Sequence, residues 1–125
     1  MIDTRAFVAD ALQPWNSARC NCVSAVAAAL AGAPRCSDAF AAWLAQPEAE
    51  RRAQARSADL VNAVARFADA AGLEPSAEPD GWGAVQLEGR QAVALKHNGR
   101  WLLRVFPTGV VVLSNPCVLR QWGVA

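Results

Sequence analysis

The sequence has no strong charge of either sign and no basic cluster. Its 125 residues include 12 lysines and arginines and 11 acidic residues, which leaves a formal net charge of +1. Arg51, Arg52 and Arg56 alternate with Glu48 and Glu50 on what the pattern predicts is a solvated helix face. Because binding to DNA or RNA requires a concentrated positive surface, this composition argues against nucleic acid as a partner.

A long apolar run and a secretory signal are also missing. The longest run of low polarity, from Cys22 to Pro34, is rich in alanine and falls far short of the ~20 residues that span a bilayer. The first residues include Asp3 and are not followed by a sustained apolar core, as a signal peptide would be. We therefore expect a soluble protein that is made in a cytoplasm and has no membrane span.

Histidine is scarce, with His97 as its one occurrence, and cysteine occurs four times. A Cys-x-Cys pair with distant partners does not have the Cys-x-x-Cys spacing that is typical of structural zinc. A metal site built from the four thiols, or from three of them and His97, is the weaker alternative, and we expect no metal and no cofactor. Without an export signal the thiols are expected to stay reduced. The four cysteines are Cys20, Cys22, Cys36 and Cys117.

The length predicts one domain, residues 1–125, with a single core. In the first part of the chain apolar residues recur at helical spacing, and proline or glycine closes each segment. Between Cys22 and Ala31 only Ser24 is polar, so we expect this helix to lie buried at the centre of the fold. The predicted helices are 5–12, 22–31, one opening at Ser37 and Asp38, 48–56, and one capped by Ser57 and Asp59 and ended by Gly72.

In the last third of the chain the period changes from that of a helix to that of a strand. Residues 74–83 contain several prolines and glycines and are predicted to be a loop. Asn98-Gly99 is typical of a type I′ hairpin, which requires positive φ at both central residues. Helices followed by a meander of strands indicate an α+β fold with a small antiparallel sheet. The predicted strands are 84–87, 91–97, 100–106 and 110–113.

Cys22 is the candidate nucleophile because it stands where an irregular segment becomes the buried helix. A helix start offers unpaired N–H groups and a partial positive charge, which favour a thiolate. Covalent catalysis also requires a base within hydrogen-bonding distance of the thiol. The alternative is that Cys22 is a small buried apolar residue, as free cysteines most often are.

Several of these features together resemble a known family. A tryptophan-containing segment leads to a cysteine at a buried helix start, glycines open the first strand, and an Asn-Gly turn follows the second. In this chain they are Trp15, Asn21-Cys22, Gly81-Trp82-Gly83-Ala84-Val85, Gln91-Ala92-Val93-Ala94 and Asn98-Gly99. Over about residues 10 to 124 the chain resembles the NlpC-type, papain-fold cell-wall peptidases. More narrowly, it resembles a group of short NlpC-like proteins that are encoded among phage tail genes.

The resemblance implies a papain-like α+β domain with Cys22 at the position of the nucleophile. It also places Gln91 where the family has its catalytic histidine, and the amide of glutamine cannot accept the thiol proton. His97 lies six residues further along the same strand, roughly 20 Å away at ~3.3 Å per residue, and so is an unlikely base. We therefore expect a catalytically degenerate protein, a pseudoenzyme.

Two functions remain open. The first is a structural or assembly protein of a phage tail or tail-like particle, which acts through contacts with other particle proteins. Trp82, which stands where the family has an acidic residue, and Trp122 are the candidate partner-binding residues. The second is a cysteine amidase or peptidase that cuts cell-wall stem peptides, with Cys22 attacking the carbonyl carbon. Gln91 favours the first function.

Overall fold

The computed structural model describes residues 2–19, 21–56 and 59–124. In these residues the chain forms five helices followed by five strands, which confirms the predicted α+β class. No helix among them is both long and apolar enough to cross a membrane. The helices are α1 (Thr4–Ala11), α2 (Cys22–Ala29), α3 (Pro34–Leu44), α4 (Glu48–Arg56) and α5 (Leu60–Ala70); the strands are β1 (Gly81–Leu87), β2 (Arg90–His97), β3 (Arg100–Arg104), β4 (Val110–Leu113) and β5 (Cys117–Gly123).

Helix α2 is buried at the centre of the fold, as its apolar composition predicts. Its start is fixed by a reciprocal pair of caps. The Asn21 side chain accepts hydrogen bonds from the N–H groups of Val23 (2.9 Å) and Ser24 (3.2 Å). In return, Ser24 Oγ accepts the N–H of Asn21 at 2.8 Å. This capping box satisfies N–H groups that a buried helix start would otherwise leave unpaired.

Three other helices do not start as predicted, or their predicted start lies partly outside the described residues. Asp3, rather than Thr4, caps α1, because its carboxylate accepts the N–H of Ala6 at 3.0 Å. Helix α3 begins at Pro34 instead of Ser37, since proline fits the first helical position, where no N–H is needed. Asp59 occupies the N-cap position of α5, while Ser57 lies outside the described residues.

The sheet is antiparallel throughout, with the strand order β4-β3-β2-β1-β5. Asn98 and Gly99 have φ values of 51° and 78° and join His97 to its cross-strand partner Arg100, so the predicted hairpin turn is confirmed. The prediction missed β5, which pairs with β1 and includes an irregularity of register opposite Ala84 and Val85. Such a bulge interrupts the alternation by which a strand is recognised.

Trp82 and Trp122 lie in the core, so their assignment as exposed partner-binding residues was wrong. They are cross-strand partners on β1 and β5, each is 1% exposed, and their rings stack with centroids 4.4 Å apart. A side chain at Gly81 or Gly83 would collide with carbonyl oxygens of β5. The two glycines therefore allow β5 to lie close to β1, whereas the prediction took them as signs of a loop.

Candidate functional site

Cys22 is the first residue of α2 and is only 4% exposed. Its sulfur faces the sheet, where the backbone N–H of Val93 donates a hydrogen bond to Sγ at 3.5 Å. Helix α2 lies against β2 through this contact. The thiol is therefore enclosed between a helix start and the middle of a strand, so a substrate has no direct access to it.

The surroundings of Cys22 keep its thiol neutral. Burial raises the pKa of Cys22 above the ordinary value of 9.0, because a thiolate would lose its hydration. The N–H of Val93, the charge of Arg90 and the N–H groups at the start of α2 act in the opposite direction but are smaller effects. A helix start alone does not offset the desolvation of a thiolate that is this deeply buried.

Gln91 lies two residues before Val93 on β2, so both side chains point to the same side of the sheet. Its Oε1 accepts the backbone N–H of Val61 at 3.0 Å. Val61 is the second residue of α5, where backbone N–H groups have no partner within the helix. At the position where the resemblance implies a catalytic base, the chain therefore has a residue that holds the start of another helix.

His97 lies at the opposite end of β2 from Gln91 and is not brought to Cys22. Its Nδ1 is 3.3 Å from Oδ1 of Asp80, and the same carboxylate oxygen accepts the N–H of Asn98 at 2.9 Å. These contacts fasten the β2–β3 hairpin to the segment that precedes β1. Where the structure places it, His97 helps to fix a turn and is out of reach of the thiol.

The other cysteines occupy separate environments. Cys36 is buried in α3, where its thiol donates to the carbonyl oxygen of Gly123 at 3.5 Å and burial raises its pKa. Cys117 is exposed on β5, and Cys20 lies outside the described residues. Within residues 2–19, 21–56 and 59–124, no three histidine, cysteine or acidic side chains are close enough together to bind a metal ion.

The sequence prediction missed a buried arginine behind the start of α2. Arg104 has no exposed surface, donates to the carbonyl oxygen of Gln13 and lies 3.9 Å from the carboxylate of Asp10. Asp10 also accepts the hydroxyl hydrogen of Ser24 at 2.8 Å. This chain of contacts joins β3, α1 and the capping box of α2. The position of this arginine between Leu103 and Val105, in an apolar part of the chain, was the available sign of it.

Trp15 covers this buried charge from outside. The guanidinium carbon of Arg104 lies 5.1 Å from the centre of its ring, and that of Arg90 lies 6.0 Å away. Phe106 meets the same ring edge-on at 5.9 Å. Two cations at these distances from one indole form cation–π contacts, which hold the segment before α2 against the sheet.

The geometry of the site describes a packed thiol rather than a catalytic pair. Comparisons of the chain with models of protein families, with curated proteins and with solved structures found no match. Cys22 has a raised pKa, Gln91 has an amide where the resemblance implies a base, and His97 lies at the far end of β2.

Proposed function

We propose that this protein is a non-enzymatic component of a phage tail or a related tail-like particle and that it acts by binding other proteins of the particle. The particle is suggested by the resemblance to short NlpC-like proteins of phage tail gene clusters over about residues 10 to 124. The absence of catalysis is suggested by the site. In this proposal the chain has a papain-like arrangement of helix start and sheet that serves as a scaffold.

One observation carries the non-enzymatic part of the proposal, namely the combined state of Cys22 and Gln91. The thiol is 4% exposed and has a raised pKa, and Gln91 is engaged with the N–H of Val61. A nucleophilic cysteine requires a partner that takes its proton and a path by which substrate reaches the sulfur. Neither requirement is met by the described residues that surround Cys22.

The second candidate is a cysteine amidase or peptidase that acts on cell-wall stem peptides. The position of Cys22 at the first turn of α2 favours it, because backbone N–H groups at a helix start can stabilise an oxyanion. This reading requires that α2 and β2 move apart and that a base other than His97 approach the sulfur. We therefore rank it second.

A cleavage assay combined with particle analysis distinguishes the two functions. The full chain and its Cys22→Ala variant are incubated with a synthetic cell-wall stem peptide, and product is measured by chromatography. We expect both to release no more product than buffer, because no base is placed beside Cys22 in the part of the chain that the structure describes. In particles purified from the strain that encodes the chain, mass spectrometry is expected to detect its peptides.

Cleavage by the unaltered protein that disappears in Cys22→Ala would establish the peptidase and contradict the proposal. Particles that contain no peptides from this chain would remove the particle assignment. A melting temperature measured for Cys22→Ala serves as the control that the variant is folded.

A further inference from the structure

The two edges of the sheet are protected to different degrees. At the β5 edge, the backbone carbonyl oxygen of Gln121 accepts the N–H of Ser76 at 3.1 Å. Arg120 of the same strand lies 3.7 Å from the carboxylate of Asp69. The register irregularity between β1 and β5 adds local twist. A covering loop, a charge and a bulge are the features by which proteins prevent further strands from pairing with an edge.

Strand β4 has none of these features in the described part of the chain. It consists of Val110–Leu113 and contains no charged residue. Val112 is 60% exposed and Val111 is 41% exposed. Among the described residues, the backbone hydrogen bonds of this strand lead only to β3. An apolar edge strand with no covering element is a template for the addition of another strand.

The register determines which backbone groups of β4 are available. Val105 donates to the carbonyl oxygen of Gly109 at 3.0 Å, and this pair continues the register in which Leu103 faces Val111. Bonded and non-bonded pairs alternate along antiparallel strands. Val111 and Leu113 are therefore bonded to β3, whereas the N–H and C=O groups of Val110 and Val112 point outward.

A groove of about 420 Å³ lies beside this edge, near the turn that joins β2 and β3. One part of its wall is apolar and consists of Leu102 on β3 and Val112 on β4, which are cross-strand partners. The other part is basic, and Arg100 there is exposed. No acidic side chain in residues 2–19, 21–56 or 59–124 forms an ion pair with Arg100. The groove thus has an apolar wall and a guanidinium that is available to a carboxylate.

We propose that the β4 edge binds an extended strand of a partner protein, with apolar side chains at alternate positions and a carboxylate next to Arg100. The added strand pairs with the outward groups of Val110 and Val112, and its apolar side chains pack beside Val112 and Leu102. A glutamate on the same face of the added strand meets Arg100. The inference rests on the proposed function and names the class of partner through which the protein would act.

A second copy of this chain fits the edge less well than an acidic partner strand. If β4 paired with β4 of another copy, the segment opposite Arg100 would come from the residues around that strand. From Phe106 to Pro116 the chain contains no acidic residue. Self-pairing would therefore leave Arg100 without a carboxylate, although it would satisfy the backbone groups.

A synthetic peptide tests this proposal. The probe is acetyl-Thr-Glu-Thr-Val-Val-Val-Ser-amide, in which antiparallel pairing places the glutamate beside Arg100 and valines beside Val112 and Val110. Amide hydrogen exchange of the ¹⁵N-labelled full chain is measured by NMR. With the peptide at ten times its dissociation constant, exchange at Val110 and Val112 is expected to slow by about tenfold. Exchange at Val111 and Leu113, which are bonded to β3, is expected not to change.

Matched variants separate the backbone contribution from the charge contribution. Val112→Pro removes an outward N–H and should abolish binding, whereas Val112→Thr retains the N–H and should bind. A peptide with glutamine in place of glutamate should bind the unaltered protein about threefold more weakly, and Arg100→Gln should remove that difference. If Val112→Pro melts far below the unaltered protein, the exchange pattern and the Arg100→Gln comparison still decide the outcome.

Unchanged exchange at Val110 and Val112 with excess peptide would overturn the proposal. So would equal binding of the glutamate and glutamine peptides to the unaltered protein. Protection of these two amides by increasing protein concentration alone, together with dimers in sedimentation, would assign the edge to a second copy. None of these results depends on Cys22, so failure of the edge proposal is distinguishable from catalytic activity, which would overturn the proposed function.

Discussion

Replacing Trp82 with alanine is expected to lower the free energy of unfolding by about 3–5 kcal/mol, the usual cost of removing a large aromatic side chain from a core. Its ring is 1% exposed, stacks on Trp122 at 4.4 Å and lies 4.8 Å from the ring of Phe40. Urea unfolding followed by tryptophan fluorescence and circular dichroism measures the change. The substitution would also loosen the pairing of β1 with β5, which this stack supports.

Leu12→Ala is the matched control, because Leu12 is apolar but 61% exposed. Its effect should stay within about 0.5 kcal/mol, as is usual for surface substitutions. If Trp82→Ala were as stable as Leu12→Ala, Trp82 would belong to the surface, and an interface role for it would have to be reconsidered.

Replacing Arg104 with methionine is expected to lower the free energy of unfolding by about 1–3 kcal/mol, the usual cost of leaving a hydrogen-bonding group inside a protein without its partner. The Asp10 side chain is 21% exposed, so water partly compensates its charge when the guanidinium is removed. Methionine fills much of the volume but cannot donate to Gln13 or neutralise Asp10, which lies 3.9 Å from the guanidinium. Asp10 would keep its hydrogen bond with Ser24, but its carboxylate would lose the nearby guanidinium. Thermal and urea unfolding measure the loss.

The double variant Asp10→Asn with Arg104→Met should lose less stability than the sum of the two single changes, since neither charge is then left alone. Arg120→Met is the control for removing an arginine from an exposed pair, because Arg120 meets Asp69 at the surface and such pairs contribute about 0–1 kcal/mol. Equal, small losses for Arg104→Met and Arg120→Met would show that Arg104 is solvated and not part of the core.

Most of the fold could be predicted because its helices and its hairpin turn depend on residues that are close together in sequence. The apolar composition from Cys22 onward identified the central helix, and Asn98-Gly99 identified the hairpin, since each depends on neighbouring residues only. Strand β5 was missed because the bulge opposite Ala84 and Val85 breaks its alternation. The start of β1 was missed because glycines suggested a loop, although Gly81 and Gly83 are needed for close approach of β5.

The site could be predicted less well than the fold, because its geometry depends on contacts between residues that are far apart in sequence. Cys22 could be placed at a helix start from its neighbours, but its burial results from Val93 on a strand far along the sequence. The role of Gln91 at the start of α5 is likewise a tertiary contact. Arg104 could not be assigned a partner from spacing, because Asp10 is near the other end of the chain. Periodicity reports which face of an element is buried, but it does not report what that face meets.

The rate of alkylation of Cys22 as a function of pH tests whether its thiol is buried and has no base to take its proton. Iodoacetamide labelling of the folded protein is followed by peptide mass analysis, in a Cys20→Ser background, because Cys20 and Cys22 lie on the same tryptic peptide. Exposed Cys117 serves as the internal reference for an accessible thiol. Burial raises the pKa of Cys22 above 9.0, so its thiolate fraction increases about tenfold per pH unit below that value. The expected result is that Cys22 reacts far more slowly than Cys117 and that its rate still rises at pH 9.0. A rate for Cys22 that reaches a plateau below about pH 6, as for a thiolate paired with a base, would contradict it.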